Sequence, residues 1–151
     1  MTRAIIVADS GPVLASLTQL LAAFDRIELV RHTSGRANVE PQMRGFAPEL
    51  VLIDDMGLPA RALARVGEVR RGAPRAAIVV IADHMESAWL GQALRLGAAA
   101  VMPAGVDETT FRSVISDVLE PGEHKVIDFP RSFPARAAAL GLDSRTEGTA
   151  A

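Results

Sequence analysis

The chain contains no cysteine, which excludes disulfides, thiol catalysis and cysteine-ligated zinc. Tyrosine is also absent, and Trp89 is the single tryptophan. Fifteen of the sixteen basic residues are arginine, so Lys125 is the only amine available for lysine chemistry. No apolar run approaches membrane-spanning length. The N-terminus opens on a strand pattern instead of a signal peptide, so a cytoplasmic location without membrane attachment is expected. Sixteen basic against eighteen acidic side chains give a net charge of −2, with no basic block in the sequence. Direct nucleic-acid binding by phosphate neutralisation is therefore not expected of this chain. Ser10-Gly11 is too short for a phosphate cradle, and no glycine-rich nucleotide loop occurs. His32, His84 and His124 share no spacing typical of metal ligands.

What remains is a chain of 151 residues, 49% apolar and 23% charged, enough for one domain with a full core and a short appendage. Arg3-Ala4-Ile5-Ile6-Val7-Ala8 reads as a buried strand ending at Asp9-Ser10-Gly11-Pro12. Ser10 can cap the following helix and Pro12 suits its first turn. Val13, Leu14, Leu17, Leu20, Leu21 and Phe24 then recur at helical spacing. A short strand is expected at 27–30 and a short helix at 39–46. A strand at 49–54 precedes a helix at 59–71, then a strand at 77–82 and a helix at 85–96, where Gly97 sits at the C-cap. A small strand at 99–102 leads to a helix capped by Asp107, with Phe111, Val114, Ile115 and Val118 on its buried face.

Strand–helix alternation repeated five times within 120 residues predicts an α/β fold: a doubly wound, five-stranded parallel sheet flanked by five helices. Residues 121–151 change character. An edge strand at 126–129, one or two helical turns at 135–140 and a mobile tail from 143 are the expectations there. The fourth helix carries two apolar stripes. Leu90, Ala93, Leu94 and Gly97 are expected to face the sheet, while Trp89 and Leu96, with Gln92 between, lie rotated outward. An outward apolar stripe covers either the C-terminal segment or a partner.

The organising stretch is Pro48-Glu49-Leu50-Val51-Leu52-Ile53-Asp54-Asp55-Met56-Gly57-Leu58-Pro59. Four aliphatic residues run into two carboxylates and a turn, the pattern of a strand buried on both faces. Chemistry in such sheets sits at the carboxyl ends of the strands, where Asp54 stands.

This stretch resembles the phospho-acceptor strand of the receiver domain of two-component response regulators, a flavodoxin-like fold. Ala4-Ile5-Ile6-Val7-Ala8-Asp9-Ser10-Gly11-Pro12-Val13-Leu14 looks like that family's first strand and acidic turn. Ala93-Leu94-Arg95-Leu96-Gly97-Ala98-Ala99-Ala100-Val101 looks like its passage from fourth helix to fifth strand. The resemblance spans about 1–120, leaving 121–151 as a C-terminal extension or linker. It implies phosphoryl transfer to one aspartate, with Mg²⁺ held by acidic residues after the first strand. Asp54 matches the acceptor, with Asp55 as the fallback register. Asp9 matches the first acid, but Ser10 holds the second acidic position. Ala82 replaces the hydroxyl residue, Ala104 the lysine, and Val101 the aromatic residue of the family pattern. Asp9, Asp54 and the carbonyl of Met56 are the remaining weak Mg²⁺ ligands. A phosphoryl group would bring roughly −1.5 to −2 charge into a set of carboxylates at Asp9, Asp54, Asp55 and Asp83, with no cation recognisable from the motif.

The expected function is thus that of a degenerate, or pseudo-, receiver: a non-enzymatic signalling module acting by phosphorylation-independent protein interaction or homodimerisation. The resemblance places that contact on the fourth helix, fifth strand and fifth helix, with Trp89, Gln92, Leu96 and Val101 as interface candidates. The alternatives are a phospho-accepting receiver served by a histidine kinase, using Asp54 with Mg²⁺, or the input domain of a longer transcription regulator. A flavin or nucleotide at the strand exits is a further use of such a sheet, with only Phe and Trp to stack on. Arg61, Arg65, Arg70 and Arg71 read as a solvated helix face.

Overall fold

The computed structural model describes residues 1–83 and 85–120; the expectations for residues 121–151, His84 and His124 lie outside them. Ten elements alternate in chain order. β1 (Thr2–Val7) is followed by α1 (Pro12–Ala22), β2 (Ile27–Thr33) by α2 (Glu40–Phe46), and β3 (Leu50–Asp54) by α3 (Pro59–Gly72). β4 (Ala77–Ile81) and α4 (Ser87–Leu96) lead to β5 (Ala100–Met102) and α5 (Glu108–Leu119). The strands form one sheet in the order β2-β1-β3-β4-β5, and every neighbouring pair is parallel.

The sequence dictates this layering directly. Ile5, Ile6, Val7, Leu50, Val51, Leu52, Ile53, Ile78, Val79 and Val80 are fully buried, as central strands covered on both faces must be. β2 lies at the edge and is covered only in part, with Ile27 buried while Glu28, Arg31 and His32 are exposed. It runs three residues beyond the expected 27–30, because β1 pairs with it as far as Val7↔Thr33. One residue of β2, Val30, is skipped where the register shifts between Ala4 and Ile5, a bulge of the kind that twists an open edge.

Pro12 sits in the first turn of α1 as expected, but the N-cap is Gly11 and no side chain caps the helix. Ser10 is exposed, so its expected capping role is corrected. Asp107 does cap α5, accepting from the Thr110 N–H at 2.7 Å. Phe111, Val114 and Ile115 are buried beneath that helix. Among the described residues, no helix is long and apolar enough to cross a membrane.

Candidate functional site

In a parallel sheet every strand leaves the core at the same edge, so β1, β3 and β4 deliver Asp9, Asp54 and Asp83 to one rim. Asp54 is the last residue of β3, paired in register with Ile81, and is partly exposed. Asp55 is only 2% exposed. Its N–H donates to the Ile81 carbonyl at 2.9 Å, and its Oδ1 accepts from Gly57 N–H at 3.0 Å. Of the two registers read from the sequence, Asp54 is the carboxylate that reaches solvent.

Burial raises the pKa of the Asp54 carboxyl above its ordinary value, and the carboxylates of Asp55, Asp83 and Asp9 push the same way. The Met56 backbone N–H opposes them. Asp54 therefore gives up its proton less readily than a free aspartate.

Asp9 is held differently. Ala8 N–H donates to the Thr33 carbonyl at 2.8 Å, which brings the segment after β2 alongside the end of β1. Ser34 Oγ donates to Asp9 Oδ1 at 3.1 Å, and Arg36 Nε lies 3.3 Å from Asp9 Oδ2. Arg36 N–H in turn donates to Ser34 Oγ at 3.1 Å. Both oxygens of Asp9 thus already have partners, one of them a guanidinium.

The loop that carries Arg36 is fixed from its other side. Arg65 Nη1 donates to the Gly35 carbonyl at 3.3 Å. Arg65 Nε lies 3.1 Å from Glu68 Oε1, which accepts from Val39 N–H at 3.0 Å. Gly35 is buried against Met56, and a Cβ there would stand 2.3 Å from Met56 Cε. Met56 holds a positive φ of 54° in the turn that carries the chain from Asp54 to α3. The two loops at this rim therefore pack through Gly35 and Met56. Arg65 is not the solvated residue read from the sequence: its side chain is 12% exposed.

The residues present do not fit a receiver-type Mg²⁺ site. Ser10 supplies no carboxylate, and Asp9 is paired to Arg36. Among the described residues, no three acidic or histidine side chains come together as a metal cluster. Around the rim, Ala82 is fully buried with its N–H on the Met102 carbonyl at 3.0 Å, and Ala104 is exposed. Neither side chain can hydrogen-bond a phosphoryl oxygen.

The four interface candidates do not share one surface. Trp89 is buried at 7% exposure, and its Nε1 donates to the Pro59 carbonyl at 2.8 Å. Val101 is fully buried in β5. Gln92 and Leu96 remain exposed, Leu96 at 41%. The outward stripe is corrected for a geometric reason: α4 turns Trp89 and Ala93, four residues apart, inward together. Leu90 and Leu94 flank them half-buried.

Sequence reasoning missed Ser34, Arg36 and Glu68. Ser34 and Arg36 lie in a stretch with no periodicity, and only the pairing of β2 with β1 brings them to Asp9. Glu68 had one available signal, an arginine three residues earlier on the same helix.

No family model matches the sequence, and no curated protein matches it. Solved structures do share the fold. The signal receiver domain of the response regulator NarL from Mycobacterium tuberculosis aligns at 20% identity and a TM-score of 0.66, over 77% of this chain and 94% of that one. The isolated REC domain of RcsB from Salmonella enterica serovar Typhimurium, in the presence of phosphomimetic BeF3−, aligns at 15% identity and a TM-score of 0.71. That match covers 92% of this chain and 97% of the other. A LuxR-family two-component response regulator from Aurantimonas aligns at 17% identity and a TM-score of 0.69, covering 91% and 98%. The chain has the flavodoxin-like fold of response regulator receiver domains.

Proposed function

We propose that this chain is a receiver-fold signalling module that works by protein–protein interaction without phosphorylation, and that it is not an enzyme. The observation that carries this reading is the state of Asp9. Its two carboxylate oxygens are taken by Ser34 and Arg36, so a guanidinium, largely exposed, stands where a divalent cation would need an open ligand. Ala82 and Ala104 add the second support, since neither reads a phosphoryl group by hydrogen bond or charge. Arriving phosphate would meet Asp9, Asp55 and Asp83, which already disfavour charge on Asp54. The module acts through its surface, and the rim is a fixed scaffold for it.

One observation favours a second reading. Asp54 is partly exposed at the end of β3, accessible to a phosphodonor, as the phospho-accepting alternative requires. An amide NMR titration of the full chain separates the two. Mg²⁺ is added first, then beryllofluoride, with Asp54→Asn as control. The expected result is no Asp54-dependent beryllofluoride response, and intact mass unchanged after a small phosphodonor. Beryllofluoride shifts that start at Asp54, spread into α4 and α5, and vanish in Asp54→Asn would overturn the proposal.

A further inference from the structure

The opposite edge of the sheet, where the strands enter, gathers charge that the linear sequence disperses. The last turns of α3 and α4 end there, with Arg70, Arg71 and Arg95; Arg75 follows in the turn to β4, and Arg44 ends α2. Glu40 is the one carboxylate among them. It is shared, at 2.6 Å from Arg44 Nη2 and 3.2 Å from Arg71 Nε. Hydrogen bonding from Arg71 holds its carboxyl below the ordinary value. At the ends of α2, α3 and α4, five guanidinium groups against one carboxylate leave a local excess of four positive charges, in a chain whose net charge is −2; Asp117 and Glu120 lie apart, at the end of α5. Arg3 and Glu49 beside this edge offset one another.

Arg70 gives the edge a fixed geometry. Its Nη2 donates to the Gly97 carbonyl at 2.7 Å and its Nη1 to the Pro74 carbonyl. Those carbonyls satisfy its donors but carry no net charge. Burial lowers its pKa from the ordinary value, the mark of a cation partly stripped of water, and among the described residues it has no counter-ion. Among the described residues, Arg75 and Arg95 have no ion-pair partner either, and both are exposed. Arginines at helix C-termini are favoured by the helix dipole. That accounts for Arg70, Arg71 and Arg95, but not for Arg75 in the turn or for the clustering of three helix ends.

We infer that this edge, centred on Arg70, Arg75 and Arg95, docks an acidic segment of a partner protein. Planar guanidinium groups pair carboxylates bidentately; the exposed Arg75 and Arg95 offer theirs, and Arg70, seated on the Pro74 and Gly97 carbonyls, adds a fixed positive charge beside them. A short acidic segment engages only the edge. A long polyanion such as nucleic acid also meets the rest of the surface, which carries the chain's excess of negative charge, and is repelled there. The surface is independent of Asp54, so its failure would leave the reading of the strand exits intact.

The test uses the full chain, isotope-labelled, titrated with a decaglutamate peptide at low salt. Amide shifts are expected to centre on Arg75, Arg95 and Gly97, and to fade as salt screens them. The Arg75→Gln/Arg95→Gln double variant, which removes only exposed side chains, should bind about tenfold more weakly. Arg26→Gln, at the turn before β2, should bind as the parent does. Equal binding by the double variant, or shifts centred elsewhere, overturns the proposal. Single-stranded DNA of matched charge binding the same residues more tightly than the peptide overturns the choice of partner.

Discussion

The helices α3 and α4 are tied together at both ends of the sheet, and the two ties differ in kind. At the strand exits, the Trp89 indole donates to the Pro59 carbonyl at 2.8 Å from within the core. At the strand entries, the Arg70 guanidinium donates to the Gly97 carbonyl at 2.7 Å while half in solvent. Charge is divided the same way. Carboxylates crowd the exits and Arg36 answers them; arginines crowd the entries and Glu40 answers them. The difference lies in how each end relieves its excess. A carboxylate can take a proton, and Asp54 is shifted toward doing so. An arginine cannot lose one at any ordinary pH, so its relief must come from carbonyl oxygens or from an anion brought by something else. A rim of titratable groups adjusts to its surroundings, whereas an edge of guanidinium groups retains its demand for a partner.

Breaking the apolar tie should have the largest effect. Trp89→Ala removes a buried indole and its hydrogen bond, and a loss of about 3–5 kcal/mol is expected in urea denaturation. Trp89→Phe keeps most of the packing but leaves the Pro59 carbonyl without its donor, which should cost about 1–2 kcal/mol. With no tyrosine in the chain and one tryptophan, indole fluorescence follows this site alone. Emission already characteristic of a water-exposed indole in the folded protein would refute the buried position.

The polar tie should matter less, and it can be tested through its glycine. Gly97 has φ +121°, and a Cβ there would stand 2.6 Å from Arg70 Nε. Gly97→Ala therefore meets backbone strain and a displaced guanidinium together, for about 2–3 kcal/mol. Arg70→Ala in the same background should recover the part due to the clash, because the two residues touch. Strict additivity of the two substitutions would mean that Arg70 is not seated against Gly97, and the fixed geometry of the basic edge would fall with it.

The parts of this molecule that were legible in its sequence are those set by local pattern. Buried strands such as Leu50-Val51-Leu52-Ile53 announce themselves as aliphatic runs, Asp107 as a cap three residues before the N–H it accepts from, and Gly97 as a helix stop. The resemblance to receiver domains placed Asp9 and Asp54 at the same end of the sheet. What was not legible depends on pairing between distant segments. Arg36 reaches Asp9 only because β2 extends to Thr33, and nothing in Ser34-Gly35-Arg36 signals that extension. Trp89 turns inward while Leu96 stays outward; α4 has apolar residues on several sides, and periodicity alone cannot choose among them. Arg44, Arg70, Arg75 and Arg95 are scattered in the sequence, so the absence of a basic block concealed a basic edge.

The smallest expected effect lies at the strand exits and has the opposite sign. The folded-state pKa of Asp54 is raised by burial first and by its neighbouring carboxylates second. Below the ordinary carboxylate range, Asp54 is protonated in both folded and unfolded chains, and the stability tied to its raised pKa is fully present. As pH rises through the folded-state pKa, the folded protein must ionise a group that the unfolded chain ionises more easily, and that stability is lost. Asp54→Asn should therefore be more stable than the parent near neutral pH. The advantage should disappear as pH falls below the ordinary carboxylate range. Partial exposure screens the charge, so the gain is at most about 1 kcal/mol, readable as a small rise in urea midpoint at pH 7 that is absent in acid. Destabilisation by Asp54→Asn at neutral pH would mean that ionised Asp54 is held by a cation after all, and that Arg36 on Asp9 has not displaced metal from this rim.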